Sequence, residues 1–285
     1  MNRKTSMFAA SAAFGTAFPK VYSEMSAPEV SHYNINSQLL PKNFYGFKIV
    51  HLSDLHNKVF GKNNAPLLNL IESEQPDIIV MTGDMISHKA PYTDQFLTLV
   101  QNMRKLCPVY YVNGNHELSD IDSEEFNRVT EKMAEYGAVC LDNTSVEIHR
   151  GNEHIRICGL CYTAEYYRGV REYKRGWKAF MLTDMIDYMG VKQPDEYTIL
   201  LAHNPLDFDV HAEWGADISF GGHVHGGLIR LPIVKGIFSP ERRFFPKYKE
   251  GVYQVGSSFL VASRGLGKIR INNPPEVVSV TLNKK

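Results

Sequence analysis

Two histidines stand one residue apart in the segment GGHVHGG, residues 221–227. In an extended segment, residues i and i+2 point to the same side, so His223 and His225 can reach toward one point. Glycine loses more backbone freedom on folding than any other residue, yet four glycines flank this pair. They let the backbone approach a bound group closely, and neutral imidazole is the commonest protein ligand of metal ions. The segment alone is equally compatible with a glycine-rich turn that carries incidental histidines.

Further carboxylate, amide and imidazole side chains follow short apolar runs elsewhere in the chain. The full set of candidate metal ligands is Asp54, His56, Asp84, Asn115, His203, His223 and His225. Their oxygen and nitrogen atoms are the donors that first-row divalent metals prefer. So many ligands exceed what one site can use once water and substrate need places, and they suit two metal ions about 3.5–4 Å apart. Asp84, alone at the end of its apolar run, is the natural bridge between the two ions.

The hydrophobic pattern predicts the elements that must position these residues. Apolar runs of strand length end at each polar group, at 47–52, 77–83, 109–114, 197–205 and 216–222. Helical spacing follows the first three runs, at 65–74, 94–106 and 122–137. This alternation indicates a buried, largely parallel sheet, in which ligands bind beyond the carboxyl ends of the strands. Consecutive strand candidates after Ala138 predict a second sheet, so one α/β domain with two sheets packed between helices fits best.

The ordered set D-x-H, G-D, G-N-H-E, H and G-H-x-H, from residue 54 to residue 225, resembles the calcineurin-like metallophosphoesterase superfamily. The flanking segments GFKIVHLSDLHN, PDIIVMTGD and GGHVHGGLIRLP resemble its bacterial phosphodiesterase branch. The resemblance runs from about residue 45 to the C-terminus. It implies an α/β (α+β) fold, a four-layer αββα sandwich in which two mixed β-sheets are flanked by helices.

The resemblance also implies a role for each matching residue. Asp54, His56 and His225 would hold the first metal ion, Asn115, His203 and His223 would hold the second, and Asp84 would bridge them. His116 would be the catalytic residue that faces the substrate, and Glu117 would orient it. The cofactors would be two divalent transition metal ions, and Mn, Fe and Zn are all compatible with the donor set.

These residues predict a hydrolase of phosphate esters, and the resemblance favours diesters over monoesters. A hydroxide that bridges two metal ions would attack phosphorus in line, since metal binding lowers the pKa of water from about 15.7 to about 7. His116 would assist the leaving group. Two alternatives remain: a non-catalytic scaffold of the same fold, and a nuclease. However, no ligand position is missing here, and 31 basic against 31 acidic residues offer no broad basic field for nucleic acid.

Residues 1–44 are interpreted as an N-terminal extension, followed by the metallophosphoesterase domain at 45–285. An apolar run at 7–18 follows Arg3 and Lys4. It is too short to span a membrane, and it is compatible with a weak signal-peptide core, a remnant membrane anchor or a docked extension. The location of the protein is therefore open between the cytoplasm, the membrane surface and export.

The segment 165–178 is rich in cations and aromatic residues. Arg171 and Arg175 are the candidate substrate-binding residues, because guanidinium groups bind phosphate and neighbouring aromatic rings can cover an apolar or base moiety. The partner would be a small phosphate ester, such as a nucleotide or a phospholipid. Charged runs are more often solvent-exposed surfaces, and that interpretation also stays open.

Overall fold

The computed structural model of the chain describes residues 27–87, 93–119, 121–167, 178–227, 230–231, 235–236, 247–267 and 273–285. These residues form two six-stranded sheets and a two-stranded ribbon. The strands in chain order are β1 (Glu29–Ser37), β2 (Phe47–Leu52), β3 (Ile78–Thr82), β4 (Val109–Val112), β5 (Val139–Cys140), β6 (Thr144–Arg150), β7 (Glu153–Leu160), β8 (Thr198–Ala202), β9 (Ile218–Gly221), β10 (Arg230–Leu231), β11 (Lys235–Gly236), β12 (Gly251–Val255), β13 (Ser258–Ala262) and β14 (Glu276–Lys284). The α-helices are α1 (Ala65–Ser73), α2 (Thr93–Leu106), α3 (Asn115–Ser119), α4 (Ser123–Glu135), α5 (Leu182–Met189) and α6 (Phe208–Trp214).

Both large sheets are mixed. The first has the order β1-β14-β2-β3-β4-β5, and its strands β2 to β5 are parallel while β14 is antiparallel to β2. The second has the order β12-β13-β9-β8-β7-β6, with β13, β9, β8 and β7 parallel and the two edge strands antiparallel to their neighbours. Each sheet therefore has a block of parallel strands whose carboxyl ends meet at one edge.

Alternating residues along the strands build the layers of the molecule. In β2, Ile49 packs into the core between the two sheets, whereas Val50 packs against α1, α2 and α4 on the outer face. In β8, Leu201 faces the shared core, and Leu200 faces the outer side, where α5 and α6 lie. The order of helices, sheet, sheet and helices confirms the predicted four-layer αββα sandwich.

The helices predicted at 65–74, 94–106 and 122–137 are confirmed as α1, α2 and α4. The start of α4 has a clear local cause, since the Asp122 carboxylate accepts a hydrogen bond of 3.0 Å from the backbone N–H of Glu125. Within the described residues, none of the helices combines the length and the apolar character that a membrane crossing requires.

Strand β1 lies before the domain boundary that we predict at residue 45. It pairs in parallel with β14 along its whole length, from Glu29 beside Glu276 to Ser37 beside Lys284. Residues 29–37 therefore belong to the first sheet, and the division of the chain at residue 45 stays a prediction.

Candidate metal centre

The predicted metal ligands lie directly after strands of both sheets. Asp54 follows β2, Asp84 follows β3, and Asn115 begins α3 shortly after β4. From the second sheet, His203 follows β8, and the segment 223–225 follows β9. We call this group of Asp54, His56, Asp84, Asn115, His203, His223 and His225 the sheet-edge cluster. It lies where parallel strands end, as ligand sites of α/β sheets commonly do.

Most of the sheet-edge cluster has an unusual backbone conformation. The φ angles are 53° for Asp54, 47° for His56, 53° for Asp84, 59° for His223 and 55° for His225, all in the left-handed region. This conformation costs a non-glycine residue about 1–3 kcal/mol, and it persists only where surrounding contacts hold it. Strain concentrated in this way is typical of functional sites.

Asp54, His56 and His225 form one half of the cluster. Each offers one ligand atom, and these atoms all lie within 4.8 Å of one another. The Nε2 atom of His225 is 3.5 Å from Asp54 Oδ1, and the rings of His56 and His225 have centroids 5.4 Å apart. The backbone N–H of His223 donates to both Asp54 oxygens, at 3.2 and 3.1 Å, so the loop after β9 is tied to the loop after β2.

Asp84, His203 and His223 form the other half, with ligand atoms again within 4.8 Å of one another. The Nδ1 atom of His203 lies 2.6 Å from the carbonyl oxygen of Thr82, which can only accept a hydrogen bond. His203 therefore carries its proton on Nδ1 when neutral, and Nε2 presents a lone pair 3.3 Å from Asp84 Oδ2. A backbone carbonyl that fixes the tautomer in this way is a common support for metal-binding histidines.

Asp84 connects the two halves. Its Oδ2 atom lies 3.8 Å from Nε2 of His56 in the first half and 3.3 Å from Nε2 of His203 in the second. Its Oδ1 atom accepts a hydrogen bond of 2.9 Å from the backbone N–H of His116, the residue after Asn115. The side-chain Oδ1 of Asn115 is buried and has no hydrogen-bond partner among the described residues. The structure thus brings together six of the seven predicted ligands, and the backbone of the residue after the seventh, Asn115, binds Asp84.

Two glycines, one beside the histidine pair and one from a distant segment, are explained by close contacts with Asp54. A Cβ atom on Gly222 would collide with Ser53 Oγ and Asp54 Oδ2. Gly265, which comes from the distant segment after β13, has a φ of +75° and would place a Cβ atom 2.7 Å from the Cβ of Asp54. Only glycine lets these two backbones pass so close to the carboxylate.

Glu117 binds backbone N–H groups of two loops, whereas the resemblance implies that it orients His116. Its carboxylate accepts hydrogen bonds from the backbone N–H groups of Asp84 (2.8 Å), Met85 (2.7 Å), Ile86 (3.1 Å) and Gly114 (2.9 Å). It therefore fixes the loop after β3 to the loop after β4. Burial and the charge of Asp84 together raise the pKa of the Glu117 carboxyl to about 7, although the backbone N–H groups and His203 act in the opposite direction.

The two aspartates differ in their electrostatics although both are fully buried. Burial raises the pKa of Asp54, and the nearby His203 opposes this shift. Burial acts on Asp84 in the same sense, but His203, His116 and His56 together hold the pKa of Asp84 well below its usual range. Burial is the largest influence on His203 and lowers its pKa, but Asp84, Asp54 and the hydrogen bond to the Thr82 carbonyl together outweigh burial and raise the pKa to about 9. Asp84 is thus the anionic centre of the cluster.

The donor set fits divalent transition metal ions. It combines carboxylate oxygens, an amide oxygen and imidazole nitrogens, the hard and borderline donors that suit Mn, Fe and Zn. The unsatisfied Oδ1 of Asn115 and the Nε2 lone pair of His203 are buried polar atoms that a cation would satisfy.

His116 lies at the open side of the cluster. Its Nε2 atom is 3.7 Å from Asp84 Oδ2, and its ring packs edge-on against His56 with centroids 4.7 Å apart. Its side chain is 20% exposed, compared with 5% for His56 and 0% for His203. One ring nitrogen of His116, one ring nitrogen of His56 and one carboxylate oxygen of Asp84 lie within 4.8 Å of one another, so His116 is also within reach of a metal ion held there. Its exposure is what a residue that meets the substrate needs.

The predicted substrate-binding residues Arg171 and Arg175 lie outside the described residues. The last described residue before them, Tyr167, is buried against the cluster. Its ring centroid lies 5.3 Å from that of His223 and 6.0 Å from that of His203. The sequence around Tyr167 does not mark it as part of the site, apart from the number of aromatic residues in this segment.

Comparison with known proteins identifies one family. A family model described as calcineurin-like phosphoesterase matches residues 47–227, a range that contains the whole sheet-edge cluster. The chain is 27% identical over 290 residues to the uncharacterized metallophosphoesterase YkuE of Bacillus subtilis (strain 168), covering 92% of this chain and 87% of that protein.

Two further relatives have informative names. The chain is 24% identical over 246 residues to phosphodiesterase YaeI of Escherichia coli (strain K12), covering 83% of this chain and 82% of that protein. It is 25% identical over 280 residues to a transmembrane protein with metallophosphoesterase domain from Bos taurus, covering 90% of this chain and 57% of that protein.

Proposed function

Since the chain belongs to the calcineurin-like phosphoesterase family, we propose that it is a phosphodiesterase that depends on two divalent transition metal ions. The observation that carries this proposal is the convergence of carboxylate and imidazole donors from both sheets around Asp84. The relative named phosphodiesterase YaeI supports diesters as the substrate class. Because the ligand set is intact, an enzyme is favoured over a scaffold that has lost its ligands.

The ligands divide between the two ions according to the two halves of the cluster. Asp54, His56 and His225 would hold the first ion, and Asn115, His203 and His223 would hold the second. Asp84 would serve both, because its carboxylate faces histidines of each half. Two bound ions would act as Lewis acids that lower the pKa of water and neutralise charge on the phosphate oxygens.

The residues of the chain supply positioning and proton transfer. The backbone N–H groups of His223 and His116 hold the carboxylates of Asp54 and Asp84 in place. His116, on the open side, would give a proton to the departing oxygen while water attacks phosphorus in line from the opposite side. No covalent enzyme intermediate is required.

The metal content of the purified protein tests this proposal. Protein prepared without chelator and then loaded with Mn²⁺ or Zn²⁺ should contain two ions per chain by elemental analysis, and should hydrolyse bis-p-nitrophenyl phosphate. One ion at saturation, or two ions with no hydrolysis of any phosphate ester, would contradict it. Comparing a diester with its matching monoester distinguishes a phosphodiesterase from a phosphomonoesterase.

Arg171 and Arg175 remain our candidates for contacts with the part of the substrate that does not react. The support is that Tyr167, just before this segment, contacts two histidines of the cluster. The double change Arg171→Ala and Arg175→Ala should raise KM for a large diester, such as a nucleotide or phospholipid, and leave bis-p-nitrophenyl phosphate unaffected. The pair Lys62→Ala and Lys105→Ala, exposed on another part of the chain, is the matched control. Equal kinetics on large and small substrates would remove the proposed contact.

A second proposal places the natural substrate at a membrane surface. It is supported by the relative from Bos taurus that is named a transmembrane protein. Activity on vesicles that contain a phospholipid diester, compared with the same headgroup ester free in solution, would separate a membrane substrate from a soluble one.

A further inference from the structure

A second group of metal-binding side chains lies on the hairpin of β6 and β7, at the edge of the second sheet. His149 and His154 stand directly opposite each other in the antiparallel pairing. Glu147 lies two residues before His149 on the same face of β6. Ile148, which precedes His149, and Ile155, which follows His154, pack into the core between the sheets. The two histidines therefore project from the opposite, outer face.

The three side chains, which we call the hairpin cluster, come close enough to share a cation. Their ligand atoms all lie within 4.8 Å of one another, and His149 Nε2 is 3.2 Å from Glu147 Oε2. The two imidazole rings have centroids 5.5 Å apart. The side chains are 63% exposed for His149, 38% for Glu147 and 43% for His154, so a cation would reach them without any opening of the fold.

Arg156 orients the carboxylate of this cluster. Its Nη2 atom donates a hydrogen bond of 2.9 Å to Glu147 Oε1, while Glu147 Oε2 faces His149. The same guanidinium binds the carboxylate of Glu196, whose Oε1 lies 3.3 Å from Nε2 of His154. Partners that fix the direction of a ligating carboxylate are a regular feature of metal sites.

We propose that Glu147, His149 and His154 bind one divalent transition metal ion. Two neutral imidazoles and one carboxylate favour Cu²⁺ over Ni²⁺ and Zn²⁺, and these over Mn²⁺, whereas Mg²⁺ prefers oxygen ligands alone. The hairpin lies at the amino ends of β7 and β8, where Arg156 is opposite Thr198, and the sheet-edge cluster lies beyond the carboxyl ends. The new site is therefore separate from the proposed catalytic centre and does not depend on that proposal.

Cu²⁺ titration of the full chain tests the site. The unchanged protein should bind one more Cu²⁺ than His149→Ala or His154→Ala at the same free concentration, with affinity at the hairpin reduced by at least about tenfold in each variant. Electron paramagnetic resonance should show two coupled imidazole nitrogens at this ion, and one in either variant. His32→Ala, which removes an exposed histidine elsewhere, is the control and should leave the titration unchanged.

Glu147→Gln provides a second, milder test, because it keeps the shape of the side chain and removes the charge. It should weaken Cu²⁺ binding while the two-nitrogen signal persists at higher concentration. All hairpin variants should keep the hydrolysis of bis-p-nitrophenyl phosphate unchanged. Equal Cu²⁺ stoichiometry and affinity in the unchanged protein and in both histidine variants would overturn the proposal and leave only surface ion pairs.

Discussion

The sheet-edge cluster and the hairpin cluster are built from the same residue types in opposite ways. The carboxylate of Asp54 and the ring of His203 are both 0% exposed, whereas the ring of His149 is 63% exposed. Five of the seven sheet-edge residues have a left-handed backbone conformation, whereas Glu147 and His149 stand on a regular strand with a complete antiparallel ladder. One cluster is held by strained loops and close glycine contacts, and the other by ordinary pairing.

This difference matches the demands on the two proposed metal sites. The proposed catalytic centre must hold two ions in a fixed geometry, so its ligands come from several strand ends, and contacts from both sheets must hold them. A site that only binds one ion can use side chains that regular pairing already places together. Substitutions in the sheet-edge cluster should therefore disturb metal binding, activity and folding together, while those in the hairpin should disturb binding alone.

The largest effect is expected for Asp84→Ala. Removal of a single preorganised electrostatic group costs about 10²–10³ in turnover, and we expect more here because both halves of the cluster face this carboxylate. Elemental analysis should show the loss of at least one ion per chain. Asp187→Ala, which removes an exposed carboxylate on α5, should change neither quantity. Full metal content with normal turnover in Asp84→Ala would refute the bridging role.

His116→Ala should reduce turnover by about 10²–10⁴ if the side chain acts as a general acid. Both ions should stay bound, because the His116 contact to Asp84 Oδ1 comes from the backbone and survives the substitution. The loss should shrink for substrates with acidic leaving groups such as p-nitrophenol, which need no proton. An equal loss for all leaving groups would indicate that His116 positions the substrate, and a loss of metal would make it a ligand.

Gly222→Ala should disturb the sheet-edge cluster through its backbone alone. The added Cβ would collide with Ser53 Oγ and Asp54 Oδ2, and such overpacking typically costs about 1–3 kcal/mol. We expect a lower melting temperature and weaker metal binding in the half that contains Asp54. Gly256→Ala is the control for a glycine replacement without a collision. Gly256 has a φ of +59°, so an alanine there strains the backbone, but nothing lies within 4 Å of the added Cβ. A variant that keeps both ions with normal affinity would show that the close approach at Gly222 is not needed.

Much of the fold and of the site follows from local sequence patterns. The apolar runs and helical spacing predict the parallel block of the first sheet and helices α1, α2 and α4, because burial imposes these periods. The polar residues that end the runs predict the sheet-edge cluster, because parallel strands place their carboxyl ends together. Asp84 is the clearest example, since its central position was expected from the sequence and is found in the structure.

Other features depend on contacts between distant segments and leave no local signal. The parallel pairing of β1 with β14 joins opposite ends of the described chain. Glu117 binds backbone N–H groups of the loop after β3. Its position next to His116 in the sequence gives no indication of this contact. The hairpin cluster, by contrast, depends on a local feature, because the turn between β6 and β7 sets the register that places His149 opposite His154.

The smallest predicted effect concerns a histidine that is buried away from both clusters. Burial lowers the pKa of His211 on α6 to about 3, and the charge of Asp209 opposes this shift only in part. The opposite holds for His203, where burial also lowers the pKa but Asp84, Asp54 and the Thr82 carbonyl together outweigh it. Below a pH of about 6.5 the unfolded chain protonates this histidine while the folded protein keeps it neutral. The residue therefore removes stability as the pH falls from about 6.5 toward 3, and has no such effect above this range.

His211→Phe should abolish this contribution. Between pH 6 and 4, the free energy of unfolding from urea titrations should fall less steeply in the variant, by up to roughly 1.4 kcal/mol per pH unit. Any packing change from the larger ring shifts the curve by a similar amount at each pH, so the comparison of slopes removes it. His51→Phe should have the same effect, since burial also lowers the pKa of His51 to about 3, and the double variant should show about twice the change. A slope equal to that of the unchanged protein would mean that His211 is protonated in the folded state, and that a charged partner is close enough to outweigh its burial.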